Sequence, residues 1–202
     1  SQSFLGLAIS KKGNVVMINS SGDLLKVNAK VGKVYWAVNT TESMYAHDTD
    51  FFKTSDIVID DNNIIFSTSS SIYSFDLETG NPNWKKNVGS ANTPIIDKNN
   101  IFFVTDNGYF LNIEKKSGEI IWSTNILKIL KKKKRKTNTT GLIMGSGKMY
   151  ITTLNGFLIV CSANSGEVEY VKKIGDSVTT SPIISDNSLL ILTENSRIIG
   201  FN

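Results

Sequence analysis

The stretch NGYFLNIEKKSGEIIW, Asn107 to Trp122, decides the fold, because its skeleton recurs along nearly the whole chain. It opens on an Asn-Gly turn, continues with alternating apolar residues, breaks at a Ser-Gly turn and ends on Trp122, four residues after Gly118. The closing pair recurs as Gly32/Trp36, Gly80/Trp84 and Gly166/Tyr170. A turn residue, Gly22, Ser70, Gly108 or Gly156, stands ten positions before each of these glycines. Successive closing glycines are 48, 38 and 48 residues apart, which brackets the period of about 40 to 45 expected of four-stranded repeats. A constant inner spacing within a variable period places the variation elsewhere in each unit.

Outward from this stretch, each unit reads as four short strands. The first contains LGLAIS (5–10), NVVMI (14–18), LLKVN (24–28) and VYWAV (34–38), separated by turns at Gly13, Gly22 and Gly32. Period-two alternation of β-branched and aromatic residues between Gly and Asn turns is the signature of antiparallel hairpins. The pattern predicts an all-β chain of about five four-stranded antiparallel blades, at 5–38, 56–88, 93–125, 141–174 and 181–202. The last has only its first three strands, SPIISD, NSLLILTE and NSRIIGFN. A β-propeller satisfies such repeats, since twisted sheets packed face to face leave only short edges. Residues 1–202 then form a single, partial propeller domain. Trp36, Trp84 and Trp122, with Tyr170 in the fourth unit, are expected to fill space between adjacent blades.

Composition bounds the function. The 202 residues are 40% hydrophobic, enough for a substantial core, and 22 basic against 18 acidic residues give a net charge of only +4. Cys161, the single cysteine, lies in the alternating run GFLIVCS and reads as a buried strand residue, which excludes an intrachain disulfide and a Cys-based zinc site. No run reaches the roughly 18 apolar residues of a membrane-spanning helix. The opening SQSFLGLAIS has neither a basic segment nor a cleavage site and is not read as a signal peptide. P-loop and Gly-x-Ser-x-Gly motifs are absent, and a lone histidine, His47, offers no catalytic grouping.

Family resemblance enters at FDLETGNPNW (75–84), which resembles the tryptophan-docking motif of quinoprotein-dehydrogenase repeats, with Thr79, Gly80 and Trp84 in its positions. IEKKSGEIIW (113–122) and VNAKVGKVYW (27–36) are weaker copies. The run from Ala91 to Asn202 resembles the C-terminal half of the BamB-like family, propeller lipoproteins of the bacterial outer-membrane β-barrel assembly machinery. That resemblance implies an eight-bladed ring, with about three blades and a lipidated cysteine ahead of Ser1. It further implies a periplasmic, outer-membrane-associated scaffold without enzymatic activity or cofactor, bound to the periplasmic domains of a BamA-like barrel subunit. The same blade serves other functions, so a fragment of a pyrroloquinoline-quinone-dependent dehydrogenase and a propeller sensor ectodomain stand as alternatives.

Two connections are longer than the rest, and both run from an outer strand to the next inner strand, which puts them on one face of a meander array. The first, NTTESMYAHDTDFFKTSD (39–56), combines Tyr45, Phe51 and Phe52 with His47, Asp48 and Asp50. Aromatic anchors with an acidic rim fit a protein partner. His47 with two carboxylates is a weak metal pattern, and a solvated loop is the plain reading. In the family the corresponding loop uses acidic residues against the barrel subunit, although the aspartates here fall a few positions out of register. The second, NILKILKKKKRKTNTT (125–140), joins Ile126, Leu127, Ile129 and Leu130 to Lys131, Lys132, Lys133, Lys134, Arg135 and Lys136. Its apolar half extends a strand or makes one helical turn, and its basic half must be solvated. An exposed loop is the plain reading, and lipid head groups or an acidic partner are the alternative ligands. With no aromatic platform among the lysines, nucleic acid is not expected.

Overall fold

The computed structural model describes residues 6–19, 21–40, 54–131 and 136–201, and they form five antiparallel sheets. The first contains β1 (Gly6–Ile9), β2 (Asn14–Ile18), β3 (Asp23–Asn28) and β4 (Val34–Asn39), and the second β5 (Val58–Asp60), β6 (Asn63–Ser67), β7 (Ile72–Asp76) and β8 (Pro82–Lys86). The third contains β9 (Ile95–Asp97), β10 (Asn100–Val104), β11 (Tyr109–Glu114) and β12 (Ile120–Asn125). The fourth contains β13 (Thr139–Gly145), β14 (Lys148–Thr153), β15 (Phe157–Ser162) and β16 (Val168–Lys173). The fifth has three strands, β17 (Ile183–Ser185), β18 (Ser188–Leu192) and β19 (Ile198–Phe201). Each sheet pairs its strands in chain order, so every one is a meander of the kind that makes a propeller blade.

Local chemistry fixes the turns. Between second and third strands, Thr105, Thr153 and Thr193 turn their hydroxyls onto the backbone: Tyr109 N donates to Thr105 Oγ1 at 2.9 Å, Phe157 N to Thr153 at 3.0 Å and Arg197 N to Thr193 at 3.2 Å. Between third and fourth strands, Asp76 Oδ1 accepts from the backbone of Glu78 and Thr79 at 3.0 and 2.7 Å, an Asx turn that delivers the chain to Gly80.

The third-to-fourth strand pair carries a register shift at the same place in four sheets, after Lys26, Ser74, Asn112 and Val160. Those residues pair directly with Trp36, Trp84, Trp122 and Tyr170. A bulge adds twist and re-aims the neighbouring side chain. Here it sets the aromatic ring of the outer strand at a fixed position in every repeat.

The chain divides into two compact units, one running through Pro94 and including the turn Lys116–Gly118, the other holding Ile95–Lys115 and the residues from Glu119 on. The first unit's core joins Val16, Ile18 and Leu24 to Ile57, Ile64, Phe66, Tyr73 and Phe75, with Phe66 and Tyr73 stacked 5.2 Å apart. Trp36 borders this core and donates from Nε1 to Leu77 O at 3.2 Å. Lys26 breaks the apolar pattern: it is buried, yet its Nζ reaches Glu78 Oε2 at 2.6 Å while Lys12 holds Oε1 at 2.8 Å. Both ammonium groups pull the Glu78 carboxyl down to about 2.

The second unit holds a larger and a smaller apolar cluster among its described residues. Phe102, Val104, Phe110, Met149, Ile151 and Cys161 lie in the larger, where Trp122 meets Phe110 edge-on at 4.9 Å. Leu158, Val160, Val178, Leu189 and Ile191 make the smaller. Cys161 is fully buried, as its place in the alternation implies, and burial pushes its thiol up to about 12. Such a thiol stays protonated and unreactive.

Candidate partner-binding connections

The two long connections are residues 40–57 and 126–138, against 87–94 and 174–182 for the other outer-to-inner crossings. Tyr45, His47, Asp48, Asp50, Phe51 and Phe52 lie outside the described residues, as do Lys132, Lys133, Lys134 and Arg135. What the structure shows is how each connection is anchored.

The first leaves its sheet at Thr40, whose N and Oγ1 both donate to Gly22 O at 2.8 Å. It returns at Thr54, bridged to Thr68, and at Ser55, whose N donates to Ser67 O at 2.8 Å. A knot of small hydroxyls lies beneath the return: Ser67 N donates to Ser55 Oγ at 3.0 Å and Ser67 Oγ to Ser90 O at 2.7 Å. Thr93 Oγ1 adds a bond to Asp56 Oδ2 at 3.1 Å. These Ser and Thr residues were not singled out in the sequence, where they look like ordinary loop composition. The only cue was their density in Ser67–Ser71, STSSS.

In the second connection the apolar half takes the helical-turn option and does not extend the strand. Directly after β12 the chain makes a 3-10 turn, Ile126–Ile129, and Ile126, Leu127 and Leu130 are buried in the larger core of the second unit. Ile129, the other apolar residue, is 57% exposed. Leu127 lies so close to Gly108 that a Cβ there would stand 2.3 Å from its Cγ, and Ile126 N donates to Gly108 O at 2.9 Å. The helical turn is therefore a plug, driven inward by apolar burial worth roughly 1.5 to 3 kcal/mol per large side chain. The far end is tied as firmly, with Thr139 Oγ1 donating to Thr105 O at 3.1 Å and Leu154 N to Asn138 O at 2.9 Å. Lys131 and Lys136, which flank the basic run between these anchors, are exposed.

The repeat residues are brought together across repeats rather than within them. Gly80 receives the ring of Trp36, Gly118 that of Trp84 and Gly166 that of Trp122; a Cβ on these glycines would stand 2.7, 2.5 and 2.5 Å from the nearest ring atom. Each aromatic thus seats on the turn glycine of the following repeat. At Gly32, also at positive φ, nothing lies within 4 Å. Tyr170 is 52% exposed, whereas the three tryptophans are half-buried.

Among the described residues no group of three His, Cys, Asp or Glu side chains is placed to hold a metal ion, and no helix is long and apolar enough to cross a membrane. The arrangement is one of antiparallel sheets whose two long connections are tied at both ends.

Comparison with known proteins agrees with this architecture. The family model described as outer membrane protein assembly factor BamB matches residues 3–124. BamB of Yersinia pestis is 21% identical over 193 residues, covering 94% of this chain and 47% of the relative. BamB of Escherichia coli (strain K12) is 23% identical over 197 residues, with 92% and 47% covered. The chain thus spans about half the length of the curated relatives it matches. In structure it is similar to BamB from Moraxella catarrhalis, with a TM-score of 0.74 at 17% identity, covering 98% of this chain and 57% of that one. The β-propeller domain of Myceliophteria thermophila Cps50 (Swd1) matches with a TM-score of 0.72 at 12% identity, over 100% of this chain and 65% of that one.

Proposed function

Since the chain belongs to the BamB family of β-propeller proteins, we propose that it is a non-enzymatic scaffold of outer-membrane β-barrel assembly. It works at the periplasmic side of the outer membrane and docks to the periplasmic domains of a BamA-like barrel subunit. The observation that carries this reading is the family match over residues 3–124, joined to a structure that spends its sequence variation on two anchored connections. The tied ends at Thr40, Thr54 and Ser55, and at Leu130 and Thr139, hold those connections against rigid sheets. A segment whose two ends are fixed has less ordering cost on binding than one tied at a single end.

In this reading Tyr45, Phe51 and Phe52 supply apolar anchors in the first connection, and His47, Asp48 and Asp50 supply its polar rim. Lys131, Lys132, Lys133, Lys134, Arg135 and Lys136 act as an electrostatic contact for an acidic surface of the partner or for lipid head groups. That contact steers association and weakens with salt. Docking and orientation are the whole mechanism, with no cofactor and no chemical step.

Photo-crosslinking tests the proposal. A photoreactive residue at Lys131 or Lys136 is expected to capture the barrel subunit's periplasmic domains, whereas one at Lys30, exposed on a third-to-fourth strand turn, is not. Equal capture from all three positions, or none from the connections, would overturn it.

A further inference from the structure

The second connection hangs by both ends from one turn, residues 105–108. At its start Ile126 N donates to Gly108 O at 2.9 Å, and at its end Thr139 Oγ1 donates to Thr105 O at 3.1 Å. The same end is tied to the corresponding turn of the fourth sheet, residues 153–156: Leu154 N donates to Asn138 O at 2.9 Å and Asn155 N to Thr137 Oγ1 at 3.1 Å. Lys173 closes on that turn too, its Nζ donating to Asn155 O at 2.6 Å and to Gly175 O at 2.7 Å. These ties build one rim of the second unit.

The rim is cationic with two apolar points. A 3-10 turn brings residues three apart into line. Leu127 and Leu130 are buried together, which leaves Lys128 and Lys131 together on the solvent side, with Ile129 between them at 57% exposure. Leu154, on the neighbouring turn, is 44% exposed, and Lys136 and Lys173 are exposed as well. Asp106 is the only carboxylate among the described residues of the connection and the two turns. Protein interfaces are enriched in arginine and depleted of lysine, because the guanidinium fork matches a single carboxylate. The described cations of this rim are lysines, point charges on flexible stems that lie along an apolar surface while the ammonium stays in water. A field of phosphate head groups over an acyl boundary answers that chemistry better than a protein surface does.

We propose that this rim binds the surface of a bilayer carrying anionic phospholipids. Lys128, Lys131, Lys136 and Lys173 hold the phosphates, and Ile129 and Leu154 enter the boundary beneath the head groups. The inference rests on the scaffold reading for the membrane concerned and adds to it a contact that docking to a barrel subunit does not use, since that docking leaves Ile129 and Leu154 without a role.

The test floats the whole 202-residue chain with vesicles of phosphatidylcholine alone and of phosphatidylcholine mixed equally with phosphatidylglycerol. Binding is expected to the mixed vesicles only, weakening as salt rises and no more sensitive to inorganic phosphate than to other salt of the same ionic strength. Lys128→Ser, Lys131→Ser and Lys136→Ser together should weaken it about a hundredfold, at roughly fivefold per lysine. Ile129→Ser with Leu154→Ser should weaken it about tenfold while leaving affinity for the barrel subunit's isolated periplasmic domains unchanged. Lys30→Ser, on a third-to-fourth strand turn, should alter neither. The proposal is overturned if the mixed vesicles are not bound, if phosphatidylcholine alone binds as well, if inorganic phosphate specifically displaces the vesicles, or if the apolar variant binds them as wild type does. Vesicle binding without binding of the barrel domains would overturn the scaffold reading alone, whereas domain binding without vesicle binding assigns the rim to a protein and overturns this inference alone.

Discussion

The turns between third and fourth strands and the connections between sheets are built on opposite rules. The turns repeat one geometry, with a glycine at φ 68, 75, 71 and 73 at Gly32, Gly80, Gly118 and Gly166, and three of the four carry a tryptophan from the preceding repeat. The connections vary from the short 87–94 to the long 40–57 and 126–138. The difference separates packing that must recur, and so cannot vary, from surface that is free to vary, and the proposed docking rests on the latter.

The comparison breaks most visibly at the glycines. Gly80→Ala places a Cβ against the Trp36 ring at a strained φ, and a loss of about 3 to 4 kcal/mol is expected by denaturant unfolding. Gly32→Ala carries only the backbone strain, because its surroundings are open, and should cost about 1 to 2 kcal/mol. Equal losses at both sites would show that the ring contact contributes nothing.

The second connection offers the same contrast within five residues. Leu127→Ala empties a buried site and should cost about 2 to 4 kcal/mol, whereas Ile129→Ala, at an exposed position, should stay within about 0.5 kcal/mol. Similar values for the two would contradict the plug.

A smaller effect sits on the Lys12–Glu78–Lys26 contact. The folded-state Glu78 carboxyl is lowered from 4.5 to about 2, so the stability it contributes is fully present above about pH 4.5 and is lost as pH falls through about 2. Glu78→Gln should flatten that part of the stability profile between those values and leave the profile above pH 6 parallel to wild type. The smallest response is expected of Cys161: a thiol reagent at pH 8 should not react until the protein unfolds.

Much of the fold was legible because each repeat states its own strands. The run NVVMI, 14–18, is β2, Asn14–Ile18, and the chain turns at Gly13 just ahead of it, where the alternation breaks. The bulges opposite Trp36, Trp84, Trp122 and Tyr170 were not legible, since a register shift belongs to a strand pair and leaves no mark on either strand alone. The Lys26–Glu78 contact was hidden for a related reason, because its partners are 52 residues apart. Ile126–Leu130 was ambiguous by length, as a short apolar run fits a strand end or a helical turn equally well. The seat of each tryptophan on the following glycine explains the spacing that made the repeats visible. In the candidate connections, the residue types were legible, but their anchoring at Ser55, Ser67 and Thr139 came only from packing.

The proposed function requires the two connections to meet the periplasmic domains of a barrel subunit. Titration calorimetry with those isolated domains tests it most directly, comparing wild type, Asp48→Ala with Asp50→Ala, and a variant with Lys131 to Lys136 replaced by serine, all checked for unchanged unfolding midpoints. Saturable binding by wild type is expected, weakened in both variants and, for the basic run, less salt-dependent than before. A folded wild-type chain that does not bind, or variants that bind as tightly as wild type, would contradict it.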